Sequence, residues 1–208
     1  MSLKTKRILL TAFLLVFAGA AGFAQSENTD EPAPEFKGSP YDTGDQIFAL
    51  HLGGIAPLFS IDPNTGDFTP FTDHLMFGGC GYIEWGSYLN NNMILGIEFG
   101  GLFSETPNRV LYSIPVTAKF TYVTHTYPLE IPFSAGLGFG ITKLQDQTYF
   151  GPIVKLGGGI RFAIKGDWAL GVITQGLFVP EFYFDEEKAD KSRIGTFLEI
   201  CLSAVYHF

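Results

Sequence analysis

Charge is what this sequence has least of. Charged residues fill 16% of its 208 positions, against about 25% in ordinary soluble domains. So few charges cannot dress a fully water-facing surface. Positive charge is the scarcer sign, with 13 Lys+Arg against 21 Asp+Glu, which excludes the basic footprint that nucleic acid requires. Cysteine occurs only at Cys80 and Cys201, too sparsely for a disulfide scaffold. After residue 24 no apolar run approaches the roughly 18 residues of a membrane-crossing helix. There is no HExxH or CxxC spacing to hold zinc, and no P-loop. Gly136, Gly138 and Gly140 recur at period two within a strand pattern, not at a strand-to-helix turn, so they do not cradle phosphate. No cofactor and no metal is expected.

What the sequence has in quantity is glycine, 25 residues, and phenylalanine, 21. Glycine and aromatics with few charges suit an all-β chain whose apolar surface meets something other than water. The first 24 residues read as a secretory signal. Lys4, Lys6 and Arg7 precede an apolar run from Ile8 to Phe17, and Gly22-Phe23-Ala24 supplies small residues for cleavage after Ala24. Removing those three basic residues from the 13 leaves ten against 21 acidic ones, a net charge of about −11. Residues 25–45 are acidic and carry Pro32, Pro34 and Pro40, the composition of a solvated periplasmic leader.

From Gln46 the chain alternates with a period of two, the signature of strands. Eight strands are predicted, at 46–55, 76–89, 93–103, 111–124, 129–142, 150–164, 168–179 and 193–208. In 111–124, Tyr112, Ile114, Val116, Ala118, Phe120 and Tyr122 alternate with Ser113, Pro115, Thr117, Lys119 and Thr121. In the last strand Leu198, Ile200, Leu202, Ala204, Tyr206 and Phe208 share one face, opposite Phe197, Glu199, Cys201, Ser203, Val205 and His207. Connections alternate long and short. Turns fall near Asn90, Thr126 and Gly166, and longer loops near Pro63, Pro107, Gln145 and Glu186. Strands of about 10–14 residues suit a tilted membrane span.

A soluble lipocalin-like barrel alternates too, with apolar residues inside. Here the apolar face carries no charge within the strand cores from the third strand onward. A surface that clean is unfavourable in water. The mixed face, glycines with a few large polar residues, suits the narrow lumen of eight strands. The reading is therefore an all-β, eight-stranded antiparallel up-and-down transmembrane β-barrel over 46–208. Trp85, Phe120, Tyr122 and Trp168, with Tyr206 and Phe208, fall near the turn ends, where aromatic girdles meet the membrane interface.

The stretches Tyr112-Ser-Ile-Pro-Val-Thr-Ala-Lys-Phe120, Pro132-Phe-Ser-Ala-Gly-Leu-Gly-Phe-Gly140 and Val154-Lys-Leu-Gly-Gly-Gly-Ile-Arg-Phe162, with the terminal Phe208, resemble the small eight-stranded outer-membrane proteins of the OmpW and OmpA/OmpX type. The resemblance implies a monomer in the bacterial outer membrane with both termini periplasmic. Its partners would be membrane lipid and the barrel-assembly machinery, which reads the C-terminal strand through Tyr206 and Phe208. The OmpW side of it implies binding or passage of small hydrophobic molecules. The alternative is a structural or surface-interaction barrel with a lumen plugged by salt bridges.

The inward charges are the candidate site. His51, Glu84, Glu98, Lys119 and Arg161 sit at similar depths, and unpaired charges there are costly. Glu98 and Lys119 lie on neighbouring strands with Glu84 beside them, so a buried polar cluster is expected, with Lys155 and Glu199 as a second pair further along. Cys80 and Cys201 lie on strands separated by a third. At about 9–10 Å between next-but-one strands, they are expected to be free thiols. No enzyme is expected: His74, with Asp73, is the histidine best placed for chemistry at the outer leaflet, and a loop histidine is weak grounds for it. Deleting Phe208 should impair assembly, read as loss of heat-modifiable gel mobility in membrane extracts. Unchanged assembly would remove the last strand from its role as the insertion signal.

Overall fold

The computed structural model describes residues 41–62, 65–70, 76–105, 110–144, 147–164, 167–181 and 193–208. The strands are β1 (Gln46–Ile61), β2 (Phe68–Pro70), β3 (Gly78–Asn90), β4 (Met93–Glu105), β5 (Val110–Thr126), β6 (Leu129–Leu144), β7 (Gln147–Ala163), β8 (Trp168–Glu181) and β9 (Arg193–His207). Each pairs antiparallel with the next, except that β1 pairs with both β2 and β3. β9 returns to β1 over a register running from Ile47↔His207 to Ile61↔Ile194. Setting aside the three-residue β2, the sheet closes as an eight-stranded up-and-down barrel. Closure satisfies every strand edge, which is what a sheet in lipid needs.

Two boundaries differ from the sequence reading by three residues or more. β1 runs on to Ile61, through residues placed in a loop, because they pair with β9 and β2. β7 begins at Gln147, so the loop expected at 143–149 is mostly strand, with Leu144 level with Gln147. Pairing with a long neighbour carried β1 past the local turn signal at Pro57 and drew both arms of the expected 143–149 loop into the β6–β7 ladder. Cys80 and Cys201 lie either side of β1 and are free thiols, as expected. Their sulfurs nevertheless meet at 3.4 Å, because inward side chains converge across a narrow lumen.

The two faces sort as the alternation requires. Ile83, Ile97, Val116, Leu137, Phe139, Leu156, Ile160 and Ile200 point outward and are about half exposed. Among the described residues the outward face carries charge only at the rim, at Glu105 and Lys143. Such a belt is an apolar surface far beyond what a water-soluble monomer shows.

The lumen is filled in layers. Ile47, Ala49, Tyr88, Ile94, Val123, Ala169 and Val205 pack near the end where β1 starts and β9 finishes. Ile55, Leu102, Leu111, Ile153, Leu177, Val179 and Phe197, with both cysteines, pack toward the opposite end. Charged side chains lie between. Such filling requires strands to approach closely at chosen points. At Gly138 a Cβ would collide with the Val116 carbonyl oxygen and stand 2.6 Å from the Thr117 Cα, whereas at Gly136 the nearest atom would be 3.5 Å away. Gly138→Ala should therefore abolish the heat-stable barrel band on a semi-native gel, while Gly136→Ala retains it. Equal behaviour of the two would show that close approach of β5 and β6 is not needed.

Candidate functional site

The middle layer is a connected lattice of charges from six strands. His51 Nε2 on β1 lies 3.1 Å from Glu84 Oε2 on β3. Lys119 Nζ on β5 donates to Glu84 Oε2 at 2.8 Å and to Glu98 Oε2 on β4 at 3.0 Å. Lys155 Nζ on β7 donates to the other oxygen of Glu98 at 2.7 Å and to Glu199 Oε2 on β9 at 3.3 Å. Tyr82 closes the far edge: its hydroxyl donates to Glu199 Oε1, and the Lys155 ammonium stands 3.4 Å from its ring centroid, a cation–π contact. All these groups are buried.

Register explains why they meet. Glu84 is level with Glu98, and Lys119 and Lys155 flank Gly136 on the strand between them. With no side chain on Gly136, both lysines turn into the lumen and divide Glu98 between them. The two glutamates side by side would repel strongly at this depth without the ammonium that bridges them. His51, Glu84 and Glu98 also present three metal-ligand atoms within 4.8 Å of one another. Lys119 already occupies the place of a cation between the carboxylates, so the donor set is satisfied without one.

The residues singled out from sequence divide. His51, Glu84, Glu98, Lys119, Lys155 and Glu199 form one lattice, with Lys155–Glu199 joined to it through Glu98 rather than standing apart. Arg161 is separate. It is buried, its Nε has no hydrogen-bond partner, and it lines a cavity of about 10 Å³ with Lys119, Thr121, Pro132, Ser134, Gly158 and Ile173. That volume suits about one water molecule. The aromatic set points outward: Trp85, Phe120, Tyr122, Trp168 and Phe208 are 41–57% exposed. Trp168 packs on Tyr206 with ring centroids 5.0 Å apart, and Tyr206 stacks on Phe208 at 5.8 Å. His74 and Asp73 lie outside the described residues.

Sequence reasoning missed a second cluster, at the end where β1 begins. Tyr41, assigned to a solvated leader, enters the barrel mouth. Its ring stacks on His207 at 4.1 Å and 8°, on Tyr88 at 5.0 Å, and edge-on to His125 at 5.5 Å. Its hydroxyl donates to Glu130 Oε1 at 3.3 Å. Burial and the Glu130 carboxylate hold the Tyr41 phenol well above the usual tyrosine range. Backbone bonds hook this segment to β3: Gly44 N donates to Tyr88 O at 2.9 Å and Tyr88 N to Asp45 O at 2.8 Å. An isolated tyrosine in an acidic stretch gave no periodic signal; its meaning depends on where the preceding chain enters.

Closure, an outer belt uncharged among the described residues except at the rim, and a charge-filled axis define an eight-stranded β-barrel with the fold of small outer-membrane barrels. A solved relative in shape is Neisserial surface protein A, NspA, with a TM-score of 0.57 at 13% identity over 80% of this chain and 98% of that one. One protein-family model matches residues 25–206, and the chain belongs to that family. An uncharacterized protein of Treponema pallidum is 24% identical over 193 residues, 81% of this chain and 66% of its own length. An uncharacterized protein of Borreliella burgdorferi is 23% identical over 198 residues, 84% of this chain and 86% of its own. The chain thus spans just under two thirds of the Treponema relative.

Lys119→Ala strands Glu84 and Glu98 together in a buried layer. It should destabilise the barrel by about 3–5 kcal/mol, measured as a lowered urea midpoint in detergent. Replacing all three by apolar residues of similar size should recover most of that loss. A Lys119→Ala barrel as stable as wild type would mean that the lattice is not a coupled unit.

Proposed function

We propose that the protein is a sealed barrel of the bacterial outer membrane, a structural or surface-contact element rather than a pore or an enzyme. The observation that carries this is the lattice from His51 through Glu84, Lys119, Glu98 and Lys155 to Glu199, which crosses the lumen between two packed apolar layers. An ion moving along the axis would have to displace paired charges that are buried and satisfied by one another. The OmpW-type resemblance points instead to passage of small hydrophobic molecules. That route would require an apolar solute to part the same lattice.

Two features support a location with both termini periplasmic. The turns beside the start of β1 are short, as at 91–92 and 127–128, while the longest connections, 62–77 and 182–192, lie at the opposite end. Outer-membrane barrels carry short periplasmic turns and longer outside loops. Its partners in this reading are membrane lipid around the belt and the assembly machinery at β9, with the protein acting as a monomer.

Purified barrel in planar lipid bilayers is expected to show no unitary conductance, and in liposomes no uptake of a small apolar dye beyond the protein-free control. Steady conductance or dye uptake by the wild type overturns the sealed reading.

A further inference from the structure

We propose that Cys80 and Cys201 form an intramolecular disulfide that staples β3 to β9 across the strand where the barrel closes. The two sulfurs face each other at 3.4 Å, both buried, within the apolar layer of Ile55, Leu102 and Ile173. Register places them with economy: Gly53 on β1 is level with Cys80 on one side and Cys201 on the other. The backbone is also drawn together there. A Cβ on Gly53 would collide with the Ile200 carbonyl oxygen and lie 2.6 Å from the Cys201 Cα. The sheet folds at a corner, bringing β9 nearer to β3 than a flat sheet permits. The structure holds them as free thiols, and from 3.4 Å the sulfurs must approach by about 1.4 Å to reach bonding distance, about 2.0 Å.

The chemistry is thiol–disulfide exchange with a disulfide oxidant, such as a dithiol oxidase or oxidised glutathione, acting before the lumen shuts. One cysteine thiolate attacks the oxidant's disulfide, forming a mixed disulfide and releasing one oxidant thiolate. The second cysteine thiolate attacks the protein sulfur of that mixed disulfide and releases the other. Two protein thiols are oxidised, the oxidant's disulfide is reduced to a dithiol, and the two protons pass to the released thiolates. The bond spans a sequence separation of 121 residues and links the first-formed part of the chain to the last. In the closed barrel the apolar layer then shields it from reductants. The proposal rests on export to an oxidising compartment, and its test is separable from that reading.

Cells producing the full chain are quenched in acid, and the envelope protein is unfolded and treated with a maleimide before and after reduction. The expected result is no labelling before reduction, labelling of both cysteines after it, an intact mass two hydrogens lighter before reduction, and a monomeric band. Labelling of both cysteines before reduction, or a cross-linked dimer, overturns the staple. Location is judged independently by membrane fractionation. Should fractionation place the barrel elsewhere, the same readouts after refolding into detergent with a glutathione redox buffer decide the pair. Cys80→Ser should leave Cys201 labelled without reduction and lower the unfolding temperature in SDS relative to the unreduced wild type. An unchanged temperature would contradict a staple that holds the closure.

Discussion

The structure depends on one constraint: eight strands close a lumen so narrow that inward side chains must satisfy one another. There is no bulk water along the axis to solvate a stray charge, and the walls are too near for a side chain to point elsewhere. Inward positions are therefore mostly glycine, apolar filler or charges that pair with one another, with a few polar atoms such as those of Gln175 and the Arg161 Nε left without a hydrogen bond. The lattice of three glutamates, two lysines and a histidine is one solution. It places its cations between carboxylates that the strand register forces side by side. Its worth as net stability is modest, since buried ion pairs often do no better than well-packed apolar groups. Its consequence for structure is larger. Shifting one strand by a residue would turn its charged group into lipid and leave its partner unpaired, so the lattice opposes register slips that an apolar lumen would tolerate.

The outer face answers to a different solvent. Lipid asks only that side chains be apolar and that no backbone edge be left open. This explains why Ile, Val, Leu and Phe interchange freely along the belt and why, among the described residues, outward charge is confined to Glu105 and Lys143 at the rim. One period of two thus encodes two environments. The outer half records the membrane, and the inner half records the partner groups across the lumen.

That division also explains what could be read from the sequence. Strand alternation, the identity of the two faces and the set of inward charges are local properties, so the barrel and six members of the lattice were visible as residues. Whether those residues touch is set by register and curvature. Lys155 joining Glu98, and Tyr82 capping Glu199, needed the pairing of strands far apart in sequence. Strand ends were misjudged where a partner extended the pairing past Pro57. Tyr41 was invisible because its role comes from stacking on His207, at the other end of the chain, and not from any repeat around it. The contact between Cys80 and Cys201 was hidden for the same reason: strand spacing measures backbones, whereas the two free thiols reach toward each other across the lumen.

Glycine on an intervening strand recurs as the device by which next-but-one strands communicate. Gly136 stands between Lys119 and Lys155, and the two lysines reach the same glutamate over it. Gly53 stands between Cys80 and Cys201, and the two sulfurs meet over it. The two sites differ in room: a Cβ at Gly136 would meet its nearest atom at 3.5 Å, whereas one at Gly53 would collide with the β9 backbone. The middle strand still supplies its backbone hydrogen bonds to both neighbours, so nothing is lost from the ladder. Glycine is usually a weakness in a strand, because it packs poorly and costs entropy to order. In this lumen it is what allows contacts to skip a strand. The barrel thereby gains contacts between strands that never pair directly, and the seam between β1 and β9 is spanned by one of them.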